Sequence, residues 1–132
     1  MERLGGKGNV VVLRGVSGAG VSFSGPISVA KAVESFPYVP VILAHAGSEM
    51  HNRQAAYRAA GPDNVFLEPS WVGVIGVGNM IRTVGCGKIM FSSDNIYQIP
   101  VEPAKYRSII NNEADLEKVR YKNAVRIYNL TI

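Results

Sequence analysis

A chain of 132 residues has room for one domain and a modest core, and we take residues 1–132 as a single domain. Hydrophobic residues make up 47% and charged residues 18%, which is the balance of a water-soluble globular protein, and no apolar run approaches a membrane span. The net charge of +4 comes from Lys and Arg scattered singly, and the densest stretch, DLEKVRYKNAVR, mixes both signs at helical spacing; this is a solvated helix face, so nucleic acid is excluded as a partner, as is a membrane.

Strand and helix signals alternate along the chain. NVVVLRG (9–15) is a β-branched run closed by glycine and reads as a buried strand. The loop VSGAGVSFSG follows; its glycines match neither the P-loop nor the dinucleotide fingerprint, so phosphate binding is a weak reading. Pro26 then opens a helix, ISVAKAVESF, that stops at Pro37. VPVILAHAG (39–47) is the second strand, and Ser48 caps the helix EMHNRQAAYRAA, which Gly61 and Pro62 end. NVFLEPS (64–70) is the third strand. In WVGVIGVGNMIRTVG, Ile75, Ile81 and Val84 have helical spacing with Met80 beside them, while Gly73, Gly76 and Gly78 weaken the first half. KIMFSSD (88–94) is the fourth strand. Pro103 opens AKYRSIINN, and Asn112 caps a longer helix with Leu116, Val119, Ala124, Ile127 and Tyr128 along one side.

The order βαβαβαβα with an extra C-terminal helix predicts an α/β fold with parallel strands. Four βα units are half of an eight-stranded barrel, which takes about 250 residues. The opening MERLGGKG lacks the apolar core of a secretory signal, and the lone Cys86 suits a reducing compartment, so a cytoplasmic location is expected. Cys86 itself, in VGCGKIMF, reads as a small packing residue.

Ligands of parallel α/β proteins sit beyond the carboxyl ends of the strands. The four strand ends carry Arg14, His45, Glu68 with Trp71 nearby, and Asp94 after Ser92 and Ser93. Each has a plainer reading: His45 bonded to a backbone carbonyl in the core, Asp94 capping the next segment, Glu68 an exposed loop charge, Trp71 ordinary packing, and Arg14 a neutralising partner of either acid. His51, within a helix beside Asn52 and Arg53, belongs on the surface. Four such residues at four strand ends favour a site.

VILAHAGS, NVFLEPSW and KIMFSSDN together resemble the amidohydrolase superfamily, in the branch that includes aminocarboxymuconate-semialdehyde decarboxylase. FPYVPVILAHAG is similar to that branch's FP…P-hydrophobic…HAG segment, and VEPAKYRSI and DLEKVRYKNAVRIYNL to its last helices with their Asn-Ala-x-Arg-Ile/Leu signature. The resemblance implies a TIM-type (β/α)8 barrel of which this chain supplies strands five to eight, a parallel (βα)4 half, with MERLGG ending the helix after strand four. It implies that His45 and Asp94 are metal ligands and catalytic residues, and that the activity is metal-dependent hydrolysis or decarboxylation of a small carboxylated substrate. Arg14, Glu68 and Trp71 are then expected to contact substrate.

Two departures stand beside it. The His-x-His pair of strand one is absent, and Arg14 stands where the strand-five histidine is expected; a guanidinium cannot ligate a metal. Catalytic zinc, the divalent ion expected, takes about three protein ligands, and only His45 and Asp94 match. An open half-barrel also exposes an apolar inner face and two strand edges, which predicts a homodimer or a complementary half-barrel chain. The alternative is a non-catalytic, self-associating module that binds a small anion through Arg14; a flavodoxin-like phosphate binder using the glycine-rich loop is a third, weaker reading.

Overall fold

The computed structural model describes residues 10–14, 31 and 33–132, without the side chains of Leu13, Arg14, Glu49 and Met50. The glycine-rich loop, the start of the helix expected after Pro26, and MERLGG lie outside the described residues.

Three short strands form a parallel sheet in chain order: β1 (Val11–Arg14), β2 (Val41–Ala44) and β3 (Val65–Glu68). The register pairs Val41 with Val11 and Val65, and ends by pairing Ala44 with Arg14 and Glu68. Arg14 and Glu68 therefore end at one level, with His45 one residue beyond it. β2 and β3 are apolar on both faces and are covered on both sides. Val41, Leu43, Val65 and Leu67 pack into the larger core with Ala55, Ala59, Val77 and Met80.

The helices are α1 (Ser48–Ala60), α2 (Val74–Val84) and α3 (Glu102–Ile109). α4 (Glu113–Glu117) and α5 (Asn123–Tyr128) are joined by a π-helical stretch, Lys118–Lys122. As expected, a proline lies in the first turn of α3, and the Asn112 side chain caps α4 by accepting the Asp115 N–H at 2.8 Å.

Three expectations need correction. The fourth strand is reduced to one parallel bridge, Leu67↔Ile89, with the Met90 N–H on the Leu67 carbonyl at 2.8 Å. The ladder stops there because the next residue after β3 to face it is Pro69, which has no N–H and whose carbonyl accepts the Val72 N–H at 3.2 Å. The Phe91 N–H, on the side away from β3, goes to the Val119 carbonyl at 2.9 Å within the π-helical stretch. Second, α2 runs through Gly76 and Gly78 from Val74 onward. A Cβ on Gly76 would lie 2.6 Å from Val72 Cγ1 and 3.2 Å from Asn52 Nδ2, so this glycine lets α2 approach α1. The buried face of α2 is set by Val77, Gly78 and Met80, which leaves Ile75 78% exposed.

Third, the inner face of the half-barrel is not open. Ile42, Phe66 and Met90 are 2%, 5% and 5% exposed, in a second cluster with Ile127 of α5. The C-terminal helix covers the apolar surface that invited association. What stays exposed is β1, where Val11 and Val12 are 41% and 55% accessible.

Candidate active site

Each strand end delivers one polar group. β2 ends at Ala44, and the chain turns through His45, Ala46, Gly47 and Ser48, all at positive φ, into α1. Only glycine takes such angles freely, so a histidine at φ 59° is held there by its bonds. Its backbone N–H donates to Glu68 Oε2 at 3.1 Å, and the Ser70 N–H donates to Glu68 Oε1 at 2.8 Å. Glu68 is thus neither a loop charge nor free: its carboxylate ties the end of β2 to the turn after β3.

The His45 ring is 9% exposed and uses both nitrogens. Nδ1 lies 2.9 Å from Ser70 Oγ, a buried hydroxyl, and Nε2 lies 3.9 Å from Asp94 Oδ1. The plainer expectation of a bond to a backbone carbonyl is replaced by two side-chain partners. With the proton on Nδ1 and donated to Ser70, Nε2 turns its lone pair toward Asp94; a hydrogen bond at the other nitrogen is how a ligating imidazole is oriented.

Asp94 also has a left-handed backbone, φ 61°, and its N–H donates to Ser92 Oγ at 3.2 Å. Capping of the next segment falls to its neighbour, since Asn95 Oδ1 accepts the Tyr97 and Gln98 N–H groups. The Asp94 carboxylate is left for the mouth: Oδ2 accepts the Trp71 indole N–H at 2.8 Å and Oδ1 faces His45. Trp71 is half exposed at φ 67°, so it walls the mouth rather than filling the core. His51 is on the surface, as expected. Burial pushes the Cys86 thiol up, helped by Asp115, which suits a packing residue rather than a thiolate nucleophile. The side chain of Arg14 lies outside the described residues; its backbone places it at the same end of the sheet.

Sequence reasoning missed Ser70. It is wholly buried and orients His45, and the signal was available: it lies two residues past Glu68, beside Trp71.

Comparison with solved structures follows this geometry. An amidohydrolase 2 from Bifidobacterium longum subsp. infantis superposes with a TM-score of 0.60 at 25% identity, over 81% of this chain and 47% of that one. The chain is built like the C-terminal half of an amidohydrolase. A TIM-barrel protein from Bordetella bronchiseptica matches 90% of the chain and 45% of its own length, at a TM-score of 0.70 and 15% identity. A dihydroxybenzoic acid decarboxylase from Polaromonas, solved with manganese and 2-nitroresorcinol, matches 74% and 36%, at 0.56 and 18%. At 15% and 18% identity, the last two speak for the barrel fold alone. The chain spans less than half the length of each. No family profile and no curated protein sequence matches it.

The donor set fits a divalent metal in part. Two ligands at about 2.0–2.1 Å from a tetrahedral zinc lie roughly 3.3 Å apart, so 3.9 Å between His45 Nε2 and Asp94 Oδ1 is slightly wide. Among the described residues no three His, Cys, Asp or Glu side chains form a metal-binding group. None of the described helices is long and apolar enough to cross a membrane.

Proposed function

We propose that this half-barrel contributes His45 and Asp94 to a divalent metal site of an amidohydrolase-type enzyme acting on a small carboxylated substrate by hydrolysis or decarboxylation. One observation carries the reading: His45 Nε2 and Asp94 Oδ1 face each other at the mouth, each with its second polar atom held by another side chain. A bound metal would supply an acidified water or polarise a carboxylate. The chain's own residues orient the imidazole through Ser70, hold the Asp94 carboxylate beside it through the Trp71 indole, and set the Trp71 wall against which a planar ligand fits. Zinc suits the imidazole and carboxylate donors, and the setting is cytoplasmic.

Two donors are too few for a tight site, so the remaining ligands come from a complementary half. The exposed β1 strand, paired on one side only among the described residues, is where that half or a second copy of the chain adds. The numbering of the strands as five to eight belongs to the same proposal.

Titration with Mn2+, followed by loss of the free-ion electron spin resonance signal, tests the site. Wild-type chain should bind weakly, and Asp94→Asn should bind roughly 10-fold more weakly or worse. Absence of wild-type binding would sink the metal reading. The absence of a third described ligand favours the second reading, a non-catalytic module that holds an anion through Arg14. In that case Arg14→Ala abolishes binding of a small carboxylate and leaves the fold intact.

A further inference from the structure

Beneath the mouth lies a buried ion pair that the site itself does not use. Glu102, at the start of α3, is 2% exposed, and Lys105 one turn later has a 13% exposed side chain. Their Nζ and Oε2 stand 2.6 Å apart, close enough to satisfy the charges though not aligned as a directed hydrogen bond. A buried pair of this kind contributes little stability over apolar residues of the same volume, because desolvation offsets the attraction. What it supplies here is direction. Glu102 Oε1 accepts the Trp71 N–H at 3.2 Å, and Lys105 Nζ donates to the Val72 carbonyl at 2.7 Å. The pair therefore grips the chain on either side of the Trp71–Val72 peptide, through the amide that enters Trp71 and the carbonyl that leaves Val72.

Both residues belong to the turn Pro69–Val72, closed by the Val72 N–H on the Pro69 carbonyl at 3.2 Å. The same turn presents Ser70 to His45 Nδ1 and the Trp71 indole to Asp94 Oδ2. Trp71 sits at φ 67°, a conformation a bulky residue keeps only when its surroundings fix it. Ser70 and Trp71 touch the two halves of the His45–Asp94 pair, so a rotation of this turn changes their separation.

We infer that Glu102 and Lys105 are positioning residues: together they clamp the chain at the Trp71 amide and the Val72 carbonyl and so set the distance between His45 and Asp94. The inference rests on reading those two as the working pair, but its test needs neither metal nor substrate. Trp71 is the sole tryptophan, so the full chain gives a single indole N–H signal in a proton–nitrogen correlation spectrum. Asp94→Asn removes the charged acceptor and should move that signal upfield.

Replacing the pair together, Glu102→Leu with Lys105→Leu, leaves no orphaned charge and should move the signal the same way, with exchange against water roughly 3- to 10-fold faster. Glu102→Gln keeps an oxygen acceptor and should hold it near the wild-type position. A folded double variant with an unmoved indole signal overturns the clamp, as does an indole signal indifferent to Asp94→Asn. Should the double variant fail to fold, the wild-type chain still decides. The Trp71 backbone amide, in a half-exposed residue, should exchange at least about 10-fold more slowly than an unstructured amide, and an unprotected amide overturns the proposal. Loss of Mn2+ binding would remove the functional reading and leave this result unaffected.

Discussion

The two ends of the sheet spend their polar side chains differently. At the end where the strands begin, side chains bond backbone carbonyls. Asn123 Nδ2 donates to the Cys86 and Ile89 carbonyls, both at 2.7 Å, and Asn64 Nδ2 to the Phe36 and Val39 carbonyls at 3.1 and 2.8 Å. Lys88 reaches the Ala59 and Pro62 carbonyls, and Arg126 the Gly87 carbonyl while lying over the Phe66 ring. At the mouth, His45 also bonds Ser70, and Trp71 bonds Asp94, side chain to side chain; His45, Trp71 and Asp94 all have left-handed backbones. One end closes chain segments together; the other holds groups at fixed separation at a conformational cost. In barrel enzymes the floor serves stability and the mouth carries the chemistry, which is the division the proposed site would follow.

The largest test of this contrast is at the floor. Asn123→Ala strands two carbonyls beneath α5 and should lower unfolding free energy by about 2–3 kcal/mol in urea, with the indole signal of Trp71 unchanged. Next is an alkaline test between the ends. Burial, then Glu102 and Glu68, push the Tyr106 phenol far above its usual range, so it stays neutral when folded. The unfolded phenol ionises near pH 10, so its share of stability is present below that pH and falls by about 1.4 kcal/mol per unit above it. Tyr106→Phe should shallow the alkaline fall measured by thermal melts. At the mouth, Ser70→Ala should cost about 1 kcal/mol and leave the His45 ring as a mixture of tautomers in its nitrogen chemical shifts. The smallest effect is Asp94→Gly: relief of the left-handed backbone offsets the lost Trp71 bond, and stability stays within about 1 kcal/mol of wild type.

Much of the floor and part of the mouth were legible in the residues. The apolar runs gave β2 and β3, Asn112 and Pro103 gave two helix starts, and the strand ends gave His45 and Asp94. The Asn-Ala-x-Arg-Ile signature now has a physical content: Asn123 and Arg126 tie α5 to the turn before Ile89, and Ile127 covers the inner face. What was hidden depends on tertiary bonds that periodicity does not carry. KIMFSSD has the composition of a strand, yet its ladder with β3 ends after one bridge, where Pro69 offers no N–H and its carbonyl is taken by the Val72 amide. Glycines in α2 look like helix breakers until Asn52 and Val72 are seen against Gly76. Glu102, one charge among many in the sequence, is buried only because Trp71 and Lys105 meet it.

Asp94→Gly decides between the two roles most directly, by Mn2+ titration beside wild type in conditions where urea denaturation shows both folded. A mouth built for chemistry predicts near-equal stability with Mn2+ affinity reduced roughly 10-fold or more. Equal Mn2+ affinity in the two proteins, or a large loss of stability in the variant, would show that Asp94 serves the fold instead.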